Sequence, residues 1–158
     1  MFFRNIKNKL SNYHFGFDLY SLIVFILVMI PNLIWFLVPA PNDILRNESK
    51  TPGLDLVSII FQVIMVVSLI LIKNKNQNKL AFSRYLIFGL VFLILYYVSW
   101  TCYYVNIVSH QIILGLTISP CLVFIICCLE RKNYLAMFPT IIFSICHIVY
   151  ALINFIII

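Results

Sequence analysis

The chain has 158 residues, of which 63% are hydrophobic and only 10% charged, and its mean hydropathy is +1.05. These values exclude an ordinary soluble protein and indicate an integral membrane protein. The formal charge of +6 does not indicate a nucleic-acid partner, because lysine and arginine form no single basic face and the aromatic residues lie among aliphatic ones.

Residues 1–18 precede the first apolar run and are predicted to form a cytoplasmic amphipathic segment at the membrane interface. Apolar and polar side chains recur there at helical spacing on two different faces, which favours a short helix on the inner leaflet. The apolar face contains Phe3, Ile6, Leu10, Tyr13 and Phe17, and the other contains Arg4, Lys7 and Ser11. A frayed basic tail is the alternative. A cleaved signal peptide is rejected because the following apolar run is too long for one.

Five apolar stretches follow, each long enough to cross ~30 Å of hydrocarbon as a helix. We place these spans at 19–38, 54–72, 85–105, 111–129 and 135–157. The sequence therefore predicts an all-α integral membrane protein, in which a five-helix transmembrane bundle forms one domain over residues 19–158. No room is left for a soluble catalytic domain.

The basic residues are divided unequally between alternate connections. Arg46 and Lys50 lie between the first two spans, whereas nine others lie on the opposite side: Arg4, Lys7, Lys9, Lys73, Lys75, Lys79, Arg84, Arg131 and Lys132. The positive-inside rule then predicts a cytoplasmic N-terminus, with the 39–53 loop, the 106–110 turn and the C-terminus outside. We expect a bacterial-type protein of the plasma or inner membrane, whose basic connector at 73–84 is attracted to anionic membrane lipid.

Polar side chains within the spans crowd toward the predicted outer leaflet. Since such side chains are costly in lipid unless they face other helices or water, we predict an outward-facing pocket that narrows toward mid-membrane. Its candidate ligand-binding residues are Asn32, Trp35, Gln62, Trp100, Tyr103, His147, Tyr150 and Asn154. An ordinary interhelical hydrogen-bond network is the alternative, because tryptophan and tyrosine gather at any membrane interface.

Two prolines lie inside predicted helices. Pro31 leaves the carbonyl of Leu27 without its helical donor, and Pro120 does the same to Leu116. Such breaks are tolerated in membranes where neighbouring groups or cavity water satisfy the carbonyl. The 39–53 loop is the densest polar segment and is predicted to cover the pocket, with Asp43–Arg46 or Glu48–Lys50 as possible ion pairs.

Several kinds of chemistry find no support in the sequence, and we expect no enzyme, no metal and no cofactor. Ionisable residues are missing at mid-membrane, which argues against coupled transport. Ser119 and His147 do not lie in a nucleophile-elbow pattern, and His110, His147 and Cys102 have no metal-ligand spacing. The five cysteines fall in apolar runs without a C-x-x-C pair and are expected to act as small apolar residues.

Two functions follow from this pattern. The first is a receptor, passive carrier or sensor that binds an uncharged or amphipathic small ligand in the outward-facing pocket. The second is a non-catalytic accessory or immunity-type subunit that acts through helix contacts with a membrane protein partner or as a homo-oligomer. The final apolar segment, 152–158, and the missing ionisable relays favour the second function.

Overall fold

A computed structural model gives the arrangement of residues 11–77 and 83–157. These residues contain five helices that are long and apolar enough to span a membrane, as predicted. The helices are α1 (Leu19–Leu37), α2 (Pro52–Leu71), α3 (Arg84–Tyr104), α4 (His110–Glu130) and α5 (Tyr134–Ala151), and a π-helical turn over Leu152–Ile156 extends α5. The predicted helical architecture with five candidate membrane spans is thereby confirmed.

Residues with short polar side chains set where the helices begin. The side chains of Asp18, Ser83, Ser109 and Asn133 each accept a hydrogen bond from a backbone N–H in the first turn of α1, α3, α4 and α5, respectively. Each cap satisfies a donor that the helix itself leaves unpaired. In α2, Pro52 occupies the first turn, where its missing N–H costs nothing.

The short helix predicted within residues 1–18 is wrong in its C-terminal part, and residues 1–10 lie outside the described residues. Strand β1 (Tyr13–Phe15) pairs antiparallel with β2 (Ile72–Asn74), which directly follows α2. Hydrogen bonds from Gly16 N to Leu71 O (3.0 Å) and from Asp18 N to Ile70 O (2.8 Å) extend this ribbon. The backbone preceding α1 thus pairs with the end of α2, which a local helical pattern does not reveal.

Helix α4 lies at the centre of the bundle. It packs against α1, α3 and α5, while α2 packs mainly against α5. In the apolar stretch of α4, 56% of the residues are buried inside the protein, whereas the corresponding share is 17% in each of α1, α2 and α3. The first three helices therefore present most of their apolar surface outward, as lipid-facing helices do.

The chain connections gather at two ends. The β-ribbon end consists of residues 11–18, 72–77 and 131–133, and the loop end consists of residues 38–51 and 105–109. At the β-ribbon end Asn133 is buried, and its Nδ2 donates to the carbonyl oxygens of Ser68 (3.1 Å) and Ile72 (2.7 Å). Asn74 donates in return to Lys132 O at 2.8 Å. These bonds fasten the ribbon to the turn between α4 and α5.

Candidate functional site

Four of the eight predicted ligand-binding residues meet at the loop end. Trp100 lies 6.3 Å from Trp35 and 5.8 Å from Tyr103, measured between ring centroids, and Asn32 donates to the hydroxyl of Tyr96 at 2.6 Å. Trp100 is 6% exposed and Tyr103 is fully buried. We call Trp35, Tyr96, Trp100 and Tyr103 the loop-end aromatic cluster. Its rings contact each other, so the predicted polar faces do converge.

Asp43 closes this cluster from the loop. Its carboxylate accepts hydrogen bonds from Trp35 Nε1 (2.9 Å), Tyr103 Oη (2.9 Å) and Arg46 Nε (2.8 Å). Burial alone raises the pKa of Asp43, but these three donors outweigh it and hold the pKa below the ordinary value. Arg46 also lies over the Trp35 ring, 4.9 Å from its centroid. Of the two ion pairs that the sequence offers in this loop, the structure contains Asp43–Arg46.

Three more predicted residues lie apart from the cluster on the last helix. His147 stacks on Phe143 at 5.2 Å between ring centroids, and Tyr150 meets Phe155 edge-on at 5.8 Å. Asn154 accepts from the backbone N–H of Lys50 (2.6 Å) and donates to Thr51 Oγ1 (2.8 Å). Asn154 therefore connects the π-helical turn after α5 to the residues that precede α2.

Gln62, the eighth predicted residue, lies in neither group. It lines an open crevice of about 240 Å³ between α1 and α2, whose other lining residues are Phe25, Val63, Val66 and Val67. The predicted residues are thus divided among three places: the loop end, the last helix and the crevice that Gln62 lines. Ligand contact by these eight residues stays a prediction.

A second cavity lies nearer the β-ribbon end, where none is predicted from the sequence. This inter-helix crevice has a volume of about 140 Å³ and is formed by α1, α3 and α4. Its lining residues are Tyr20, Ile23, Val24, Leu27, Leu86, Gly89, Leu90, Leu93, Val123, Ile126 and Cys127. The walls are aliphatic apart from Tyr20, Cys127 and the bare backbone of Gly89. An apolar cavity of about 150 Å³ in another protein stays dry and binds benzene, so an apolar group can occupy this volume. Because the crevice is partly open, a longer chain can extend beyond it.

Charged side chains are buried just beyond this crevice. Asp18 Oδ2 and Arg131 Nε form an ion pair at 2.7 Å, with side chains only 4% and 7% exposed. The Arg131 guanidinium also lies 5.5 Å from the centroid of the Tyr20 ring. Glu130 is 3% exposed and accepts a hydrogen bond from Ser83 Oγ at 2.7 Å. Buried polar groups are therefore present at both ends of the bundle, which corrects the expectation that they crowd toward one.

From the sequence, Arg131 is predicted only to help orient the protein in the membrane, and no role is predicted for Asp18 or Glu130. Two signals could have identified them. Asp18 directly precedes an apolar run, which is the position of a helix cap. Glu130 is an acidic residue at the end of a span, on the side where basic residues collect.

Comparison with protein-family models, curated proteins and solved structures gives no match. Within residues 11–77 and 83–157, no three His, Cys, Asp or Glu side chains are grouped closely enough to hold a metal ion. The five cysteines in this part of the chain are free thiols. The chemical character of the crevices and of the buried polar groups is therefore the basis for assigning a function.

Proposed function

We propose that this protein binds an amphipathic small ligand within its helix bundle, as a receptor, passive carrier or sensor. The observation that supports this proposal best is the inter-helix crevice of about 140 Å³, which is apolar along its walls and flanked by buried polar groups at one end. An apolar chain fits the walls, and a polar head group fits the β-ribbon end. This chemistry matches the ligand class that the sequence predicts but favours a different location.

Packing physics favours an occupant for this crevice. Side chains that line a void lose dispersion contacts, and the cost of a void increases with its volume. Water gains little there, because the aliphatic walls offer few hydrogen-bond partners. An apolar chain restores the lost contacts without an unpaired polar group.

The distribution of basic residues supports an orientation for the site. We propose that the β-ribbon end faces the cytoplasm, because Lys73, Lys75, Arg131 and Lys132 lie there whereas Arg46 and Lys50 lie at the loop end. The crevice then opens in the cytoplasmic half of a plasma or inner membrane.

A space-filling substitution tests the proposal. Gly89 lines the crevice, and a Cβ added there meets Ile126 Cγ2 at an ordinary 3.6 Å, so a larger side chain can enter the void. We expect decanol to raise the melting temperature of the wild-type protein in mild detergent and to leave that of Gly89→Leu unchanged. Gly53→Leu is the matched control, because nothing lies within 4 Å of a Cβ at Gly53. Equal stabilisation of wild type and Gly89→Leu would contradict crevice binding.

One observation favours a second location, the outward-facing pocket predicted from the sequence. The indole N–H of Trp100 is buried and has no hydrogen-bond partner among the described residues. Buried donors are normally paired, so a ligand acceptor at the loop end could supply the missing partner. The double substitution Trp35→Ala and Trp100→Ala distinguishes the locations: loss of decanol stabilisation favours the loop end, and its retention favours the crevice.

The accessory-subunit alternative makes a different prediction for native mass spectrometry from mild detergent. A retained small molecule supports the ligand-binding function. A retained protein subunit, with no small molecule, supports the accessory role instead.

A further inference from the structure

Glu130 lies on the crevice-facing side of α4. It follows the crevice-lining residues Val123, Ile126 and Cys127 by seven, four and three positions, which are the spacings that share one helix face. Glu130 is therefore one turn beyond the apolar wall, toward the β-ribbon end. Its carboxylate is placed where the crevice changes from apolar to polar.

Ser83 occupies the matching position on α3. It precedes the crevice-lining Leu86 by three residues, and its hydroxyl donates to Glu130 Oε2 at 2.7 Å. This hydrogen bond joins the α3 and α4 walls at the same end of the crevice. The Tyr20 ring forms part of the α1 wall there. Three helices thus place polar side chains around the end of one apolar cavity.

Among the described residues, the buried carboxylate of Glu130 is in no ion pair. Two ion pairs occur within residues 11–77 and 83–157, namely Asp43–Arg46 and Asp18–Arg131, and neither includes Glu130. Glu130 is 3% exposed, and its hydrogen-bond donor in that part of the chain is the neutral hydroxyl of Ser83. An ionised carboxylate can accept about four hydrogen bonds, and burying one without a cation is costly. The site therefore has acceptor capacity left for a cationic donor.

We propose that the amphipathic ligand is an alkylamine-type cation, with its chain in the inter-helix crevice and its ammonium group on the carboxylate of Glu130. This inference rests on the proposed function of the crevice and specifies the head group. An ammonium group has three donors and one positive charge, so it supplies both the missing hydrogen bonds and the missing charge. An amphipathic anion of the same chain length would instead place its negative head group against the carboxylate of Glu130.

Three probes of equal chain length test the head group: decylamine, decanol and decanoate. We expect wild-type protein in mild detergent to bind decylamine at least about tenfold more tightly than decanol, because a charge-assisted hydrogen bond replaces a neutral one. Decanoate should bind most weakly. Equal affinities of decylamine and decanol, or tightest binding of decanoate, would overturn the inference without any substitution.

The variant Glu130→Gln assigns the preference to one side chain. Glutamine has the same shape and keeps an acceptor for Ser83, so decanol affinity should persist while the preference for decylamine disappears. Glu48→Gln is the control, because Glu48 is exposed at the opposite end of the bundle. A preference that persists in Glu130→Gln, or is lost equally in Glu48→Gln, contradicts the proposal.

These outcomes separate the head-group inference from the proposed function. If none of the three probes binds, the crevice is not a ligand site and both fail. If decanol binds, Gly89→Leu abolishes that binding and decylamine has no advantage, then the crevice proposal stands and only the role of Glu130 fails.

Discussion

The hydroxyl of Tyr97 donates a hydrogen bond of 2.7 Å to the carbonyl oxygen of Leu27. This carbonyl lies four residues before Pro31, which has no N–H to donate to it. The sequence predicts the broken hydrogen bond in α1, and the structure identifies the replacement donor on α3. The proline is therefore tolerated within the bundle because a neighbouring helix satisfies the freed carbonyl.

We predict that Tyr97→Phe lowers the free energy of unfolding by about 0.6–1 kcal/mol, the usual value of such a hydrogen bond. In a Pro31→Ala background the cost should shrink, because the new amide at position 31 can donate to Leu27. A double-mutant cycle of unfolding in detergent measures the difference. Tyr85→Phe, on the exposed side of α3, is the control. Equal costs in both backgrounds would contradict this explanation.

A second prediction concerns Gly115, where α4 approaches α3. A Cβ at this position would overlap Ser99 Oγ and lie 3.1 Å from Ser99 Cβ. Gly115→Ala should therefore destabilise the protein by about 1–3 kcal/mol through overpacking, whereas Gly53→Ala should not. Adding Ser99→Ala should recover part of the loss, because the overlapping hydroxyl is removed. If Ser99→Ala recovers none of the unfolding free energy, overlap with the Ser99 hydroxyl is not the cause of the loss.

The third prediction is a pH dependence at the loop end. Hydrogen bonds from Trp35, Tyr103 and Arg46 outweigh burial and lower the pKa of Asp43 relative to the unfolded chain. A lowered carboxyl pKa stabilises the fold above the unfolded value, about 3.9, and this contribution is lost as pH falls through the folded value. Asp43→Asn should thus be less stable than wild type at neutral pH, with the difference shrinking below about pH 4. A constant difference in melting temperature across this range would contradict the role of Asp43.

The fourth prediction tests the buried ion pair between Asp18 and Arg131. Removing one partner leaves a buried charge, so Arg131→Met should cost about 3–5 kcal/mol in unfolding free energy. Adding Asp18→Asn removes that unpaired charge while preserving an N-cap side chain for α1. The double variant should therefore be more stable than Arg131→Met alone. If the two losses simply add, the pair is not coupled as the geometry indicates.

The spans could be predicted closely because the length of an apolar run is fixed by bilayer thickness. Helix α1, for example, is predicted at 19–38 and observed at Leu19–Leu37. The pairing of Asp18 with Arg131 could not be predicted, since these residues are 113 positions apart and no local periodicity links them. The β-ribbon was missed for the same reason.

The candidate site was predictable only in part. Helical spacing correctly brought Asn32, Trp35, Trp100 and Tyr103 together, because it determines which residues share a face. Spacing does not determine whether facing side chains leave a void or fill it. That depends on side-chain conformation and on the distance between helices. Here the apolar crevice lies beside Gly89 and not at the loop end, where the pocket was predicted.

The most direct test of ligand binding in the inter-helix crevice is photolabelling in lipid nanodiscs with a decanol analogue that carries a diazirine in its chain. Mass spectrometry of the labelled peptides should locate the modification at Leu27, Gly89, Leu93 or Ile126, with excess decanol suppressing it. Labelling at Trp35, Trp100 and Tyr103, or uniform labelling of outward-facing residues such as Ile94 and Val98 that decanol does not suppress, would contradict binding in the crevice.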